Sequence, residues 1–167
     1  MKHVCAWCGR EYGVSGEETA PNHITHGICA DCEEYFQRDE PESLRRFLNR
    51  FDAPVLCVDD DARVITTNDE ACRLLEKESA EIGDLMFGEM VQCSWSRLPE
   101  GCGRTEHCAA CAIRLVVGDT LASGTDVEDR KAFVDRFDDE GHVRRSHFLV
   151  STKRHGDTVL LKICATE

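Results

Sequence analysis

The sequence predicts an α+β domain with an antiparallel sheet and flanking helices, preceded by a small module that needs a metal to fold. Three observations carry this reading. Strand-like and helix-like patterns are segregated along residues 53–167, which favours an antiparallel sheet over a parallel one. The first 36 residues are rich in glycine and poor in aliphatic side chains, yet hold two Cys-x-x-Cys pairs. The eleven cysteines fall into two groups of four, with three left over.

Composition narrows the function. At 167 residues the chain has room for one compact domain plus a small accessory module. Hydrophobic residues make up 41% and charged residues 31%, the balance of a globular protein. Twenty basic against 32 acidic residues give a net charge of −12, which disfavours nucleic acid and anionic membrane surfaces. No apolar run is long enough to cross a bilayer, and Met1-Lys2-His3-Val4-Cys5 lacks a signal-peptide core, so a cytoplasmic location is expected. In that reducing compartment the cysteines are not expected to form structural disulfides, and an odd number cannot pair completely.

Residues 1–36 bury too little apolar surface to offset about 1–2 kcal/mol of backbone entropy per residue, so they need a staple. Residues 37–52 form a connector. Within it Leu44, Phe47, Leu48 and Phe51 recur at i, i+3, i+4 and i+7, a helical stripe opened by Pro41 or Ser43 and closed by Pro54. Val55-Leu56-Cys57-Val58 then reads as a buried strand. The acidic turn Asp59-Asp60-Asp61 and a strand over 63–67 complete a hairpin. Asn68 suits the N-cap of a helix bearing Ala71, Leu74 and Leu75. Residues 79–106 are short apolar pieces broken by glycine and proline, and helical spacing returns over 107–121. Three strands, 131–137, 143–152 and 158–164, are separated by Glu140-Gly141 and His155-Gly156-Asp157.

The run Asp59-Asp60-Asp61-Ala62-Arg63-Val64-Ile65-Thr66-Thr67-Asn68-Asp69-Glu70-Ala71 resembles the opening of a PAS domain. The element order over residues 53–167 is similar to that family as well. The resemblance implies a PAS-like sheet, a sensory role and pairing of two copies through the helix before the first strand. The stripe Leu44, Phe47, Leu48 and Phe51 would then be a homodimer seam, or simply cover the sheet.

Cys5-x-x-Cys8 and Cys29-x-x-Cys32 are separated by twenty residues. Two such knuckles suit one tetrahedral Zn²⁺, each giving two thiolates at about 2.3 Å. A closed Cys₄ site is structural, and metal binding would supply the folding energy this segment lacks. His3, His23 and His26 are weaker substitutes as ligands. The run from Thr25 to Cys32 resembles the second knuckle of short zinc-ribbon modules attached to bacterial sensory proteins. Within residues 1–32, Lys2 and Arg10 are outnumbered by Glu11, Glu17, Glu18 and Asp31, so this module is expected to meet protein rather than DNA.

Cys93, Cys102, Cys108 and Cys111 form the second group, with Gly101 and Gly103 on either side of Cys102. Placed at the start of a helix from His107, Cys108 and Cys111 would share one face, and the helix N-terminus would favour thiolate. Four thiolates suit zinc, [4Fe–4S] and [2Fe–2S] alike. Metal-free thiols or a redox disulfide are the third possibility. Gly-Cys-Gly followed by Cys-x-x-Cys resembles a cysteine-rich subclass of bacterial PAS domains, and this resemblance implies an iron–sulfur cluster. A c-type haem is excluded because Ala112, not histidine, follows Cys111. His107 is a weaker substitute for Cys93.

Cys57, Cys72 and Cys164 lie on apolar patterns and are expected in the core. The acidic runs are expected to be solvated turn tips. No Walker loop, nucleophile elbow, zincin motif or dinucleotide fingerprint is present, and no enzymatic activity is expected. The sequence therefore predicts a sensory or regulatory protein that senses redox state or a small ligand through a cysteine-bound centre. With little room for an output domain, its signal is expected to leave by contact with a signalling protein. The alternatives are a zinc-stabilised adaptor without a sensing cofactor, and a thiol oxidoreductase using Cys108 and Cys111. The latter lacks the parallel βαβ pattern of thioredoxin-like folds.

Overall fold

The computed structural model describes residues 2–6, 8–14, 24–36 and 41–165, in two units, Met1–Phe51 and Asp52–Glu167. In the first unit, strand β1 (Lys2–Cys5) pairs antiparallel with β2 (Glu11–Val14) and parallel with β3 (Ile24–Gly27). Helices α1 (Ala30–Phe36) and α2 (Pro41–Leu48) follow. Proline is tolerated at the first position of α2, where its missing N–H has no helical partner to lose. Leu44, Phe47 and Leu48 are buried, and Phe51 meets the Phe47 ring edge-on at 5.4 Å. Three of the four stripe residues are thus buried, and Phe51 is half-buried. The helix is shorter than its periodicity suggested, ending in a turn over 49–50 well before Pro54.

The second unit is a five-stranded antiparallel sheet. Its strands are β4 (Val55–Val58), β5 (Val64–Thr67), β6 (Val127–Phe137), β7 (Val143–His155) and β8 (Thr158–Ala165). Their order across the sheet is β5-β4-β8-β7-β6, which leaves β6 at an edge. Between β5 and β6 the chain forms helices α3 (Asp69–Leu75), α4 (Ser79–Ile82) and α5 (Phe87–Met90). Two 3₁₀ turns (Ser94–Arg97 and Glu106–Ala110) and helix α6 (Ala112–Ser123) complete this insertion. Leu56, Val58, Val64 and Leu161 from the sheet pack with Ile82, Phe87, Ile113 and Val117 from the helices.

Two polar side chains set the start of this unit. Asn68 caps α3 as expected: its Oδ1 accepts from the Ala71 and Val55 amides at 3.0 Å, and its Nδ2 donates to the Ala53 carbonyl at 2.7 Å. Asp59 shapes the acidic turn by accepting from the Asp61 and Arg63 amides at 3.0 and 2.8 Å. Such local bonds are why Asn and Asp serve at caps and turns.

Two expectations need correction. The helix predicted from His107 starts only at Ala112. The segment before it is 3₁₀, and Cys111, with ψ of 117°, is its extended N-cap. Cys108 and Cys111 therefore do not occupy one face of an α-helix. The last three strands are longer than predicted. An irregular register between Val127 and Arg130, with Asp129 at a φ of +48°, masked the first turns of β6.

Candidate metal centres

Cys5 ends β1 and Cys29 follows β3, while Cys8 lies in the turn after β1 and Cys32 in the first turn of α1. The knuckle turn is closed by the Gly9 amide donating to the Cys5 carbonyl at 2.9 Å, with Gly9 in the left-handed region at φ +67°. The four sulfurs all lie within 4.8 Å of one another. Cys5 and Cys32 are 3.6 Å apart, and Cys8 and Cys29 are 3.7 Å apart. A tetrahedron with zinc–sulfur bonds of about 2.3 Å has edges of about 3.8 Å, so this arrangement fits a single ion. The Cys29 amide also donates to the Cys5 sulfur at 3.4 Å. Burial and the crowding of thiols push Cys32 well above its ordinary pKa, and burial raises Cys8. Metal binding must therefore displace protons. His3 does not join this group, and His23 and the His26 side chain lie outside the described residues. On the surface Arg10 pairs with Asp31.

Cys93, Cys102, Cys108 and Cys111 all line one cavity of about 430 Å³ in the second unit. Each arrives from a different piece of backbone. The Cys93 amide donates to the Gly88 carbonyl at 2.7 Å. Cys102 sits between Gly101 at φ +78° and Gly103 at φ +89°, conformations that side chains disfavour. Cys108 lies in the second 3₁₀ turn, and Cys111 caps α6.

The four thiols are not equivalent. Burial pushes Cys102 up to about 11 and raises Cys93. Burial acts the same way on Cys108, but hydrogen bonds outweigh it and its pKa falls below the ordinary value. Those bonds come from the Thr105 hydroxyl at 3.2 Å and the Gly103 amide at 3.1 Å. The charge of Arg114 acts in the same sense. Among the described residues the first group alone has three or more ligand atoms drawn within 4.8 Å. The second group therefore shares a cavity while standing wider apart than the edges of a single-ion tetrahedron.

Apart from His107, the other residues of this cavity were not singled out by sequence. His107 stacks on Trp95, with ring centroids 3.7 Å apart and planes 14° from parallel. Asp135 takes a two-pronged bond from Arg145, at 2.7 Å from Nε and 2.9 Å from Nη2. The Arg145 guanidinium lies 3.8 Å over the Phe133 ring. Arg145 holds the Asp135 carboxyl below its usual range, against the opposing effect of burial, with smaller help from the nearby Trp95 indole and His107. Asp135 and Arg145 face each other across β6 and β7, a register that could be counted outward from the Glu140-Gly141 turn. Of the three remaining cysteines, Cys57 is buried and Cys72 and Cys164 are half-buried.

No protein-family model and no curated protein matches the chain. Solved structures do. The PAS domain of the RpfR quorum-sensing receptor from Cronobacter turicensis, in complex with BDSF, is 11% identical. That match covers 70% of this chain and 96% of the other at a TM-score of 0.47. The PAS domain of Bordetella pertussis BvgS is 13% identical, covering 77% and 87% at a TM-score of 0.44. The Rhodobacter sphaeroides LOV protein is 16% identical, covering 78% and 66% at a TM-score of 0.46. At these identities the likeness concerns the fold alone. With its five antiparallel strands in the order β5-β4-β8-β7-β6 and its helices inserted between β5 and β6, Asp52–Glu167 has the PAS fold that its opening residues resemble.

Proposed function

We propose that this chain is a sensory or regulatory module of signal transduction, in which a cysteine-bound centre in the PAS-fold unit is read out by a protein partner. The observation that carries the reading is the convergence of Cys93, Cys102, Cys108 and Cys111 on one cavity. Four thiolates beside a domain core are costly unless a cation or cluster offsets their charge. A centre held by all four gives them a common purpose.

An iron–sulfur cluster is the favoured occupant, because the irregular spacing of these four cysteines departs from the paired knuckles of the first group. Such a cluster supplies one-electron redox chemistry when bound. Zinc is assigned to Cys5, Cys8, Cys29 and Cys32, where it holds the first unit together. We assign no catalytic step. The all-antiparallel sheet of the second unit does not support a thioredoxin-like oxidoreductase built on Cys108 and Cys111. The net charge of −12 supports a protein partner over nucleic acid. No helix among the described residues is long and apolar enough to cross a membrane.

The test is metal and sulfide analysis, with a visible spectrum, on protein purified without oxygen. The expected result is one zinc per chain together with iron and acid-labile sulfide, and absorption near about 400 nm that bleaches on reduction. A second zinc without colour would support the adaptor reading. One zinc with Cys93, Cys102, Cys108 and Cys111 all freely alkylated would overturn a centre of either kind.

A further inference from the structure

Trp95 reaches around the edge of the sheet. Ala132 and Val134 of β6 are buried in the core. Phe133, Asp135 and Phe137 alternate with them and so belong to the opposite face. The Trp95 indole nevertheless acts on the Asp135 carboxyl, helping to lower it, and sets its ring edge-on to Phe137 at 6.2 Å. Because β6 is the edge strand, the turn carrying Trp95 can lap past it without crossing another strand. This explains a carboxylate on the non-core face whose side chain is only 7% exposed. Indole, imidazole and guanidinium together keep water from it.

The clasp grows out of the cysteine segments themselves. Trp95 stands two residues after Cys93, and His107 immediately precedes Cys108. The two rings stack on each other, and both line the same cavity as the four sulfurs. Two separate ligand-bearing turns thus meet in one aromatic pair, which is fastened to a bidentate ion pair joining β6 to β7.

We propose that Trp95 and His107 are positioning residues that pass the filling of the cysteine cavity to the β6–β7 hairpin. The proposal rests on the metal reading above. Holding Cys93 and Cys108 on one centre fixes the two turns relative to each other. It therefore holds the stacked pair against Asp135 and Arg145. Without that shared centre the turns move independently, the stack loosens, and the Asp135 side chain gains water. The difference between the two states lies in contacts at named residues, as coupling between sites requires.

The experiment uses the full chain carrying Trp7→Phe, which leaves Trp95 as the single indole. Protein is compared before and after anaerobic addition of Fe²⁺ with sulfide, and separately of Zn²⁺ alone. Filling is expected to change Trp95 emission. It is also expected to slow amide exchange over residues 133–147 by about five- to tenfold, the factor that one net hydrogen bond confers. Trp95→Leu should retain the metal and lose the response at 133–147. Trp95→Phe keeps a ring to stack on His107 but is too small to reach Phe137 as well, and should lose at least half of it. The second variant decides the matter if the first does not fold. A response confined to residues 93–111, or a full response at 133–147 in both Trp95 variants, would overturn the coupling and leave the metal reading standing. A chain that takes up no metal at these four cysteines would overturn both.

Discussion

The sulfur of Cys102 occupies the space beside Gly88 in which a side chain would stand: a Cβ at position 88 would meet it at 2.6 Å and would crowd the Cys93 Cβ at 3.5 Å. Gly88 lies inside α5 with an ordinary negative φ. By backbone propensity alone, alanine there would stabilise the helix by about 0.5–1 kcal/mol. Gly88→Ala is expected to do the reverse. It should displace Cys102, abolish metal retention at the second group and leave the zinc of the first group unchanged. Metal analysis and a thermal melt check this. Gly118→Ala in α6, where a Cβ meets nothing within 4 Å, is the control and should raise the melting temperature.

Asn68 fastens the start of β4 to the start of α3 through one fully buried side chain. Asn68→Ala would leave the Val55 and Ala71 amides and the Ala53 carbonyl without this partner. A loss of about 2–4 kcal/mol follows. Chemical denaturation should show a lower midpoint at an unchanged slope. A midpoint shift below about 0.5 kcal/mol would show that water replaces the side chain at no cost.

Replacing Cys5 or Cys32 by serine should release the zinc and unfold the described parts of residues 2–36. The second unit has its own core and should keep its sheet. Amide exchange resolves the two. Unchanged protection in β1 and α1 of both variants would show that the first unit does not depend on the metal.

Cys57 gives a pH test free of any metal. Burial pushes its thiol from 9.0 up to about 11, partly offset by its contact with the Thr158 hydroxyl. The folded chain therefore holds this proton where the unfolded chain has released it. The associated stability is full below about pH 9 and is lost as pH rises through about 11, at no more than about 1.4 kcal/mol per pH unit. Cys57→Ala should flatten that decline by about 2–3 kcal/mol in all, measured anaerobically as the difference in unfolding free energy between pH 8.5 and 11. Parallel pH profiles for the two proteins would contradict the assignment.

Much of this architecture was legible from periodicity and spacing. Val55–Val58 reads as a strand because its residues are apolar throughout, and it is the interior, fully buried β4. Asn68 was legible as a cap because its side chain competes for backbone amides wherever a helix begins. The first metal group was legible because paired knuckles fix two sulfurs each through local turns. The second was only half legible. Spacing brought four cysteines to one region, but the 3₁₀ turn before Ala112 breaks the helical period on which the placement of Cys108 and Cys111 rested. Of the clasp of Trp95, His107, Asp135 and Arg145, the Asp135–Arg145 pairing could be counted from the hairpin turn, but the meeting of the two rings with it was hidden, since they come from separate turns that have no pattern of their own.

The pairing of β4 with β8 bears on how the protein is made. Leu56 takes its place opposite Leu161, so the middle of the sheet joins the beginning of the second unit to its end. On a ribosome, Cys93, Cys102, Cys108 and Cys111 all emerge while β8 is still being synthesised. Until then the core that shelters them lacks a central strand, and long-range strand pairing of this kind is slow. The thiols of the second group thus pass through a nascent, unsheltered stage that those of the first group do not share, since Cys5 to Cys32 can gather their ion as soon as they appear. If both groups hold metal as proposed, the connectivity of the sheet sets the order of insertion, first group and then second.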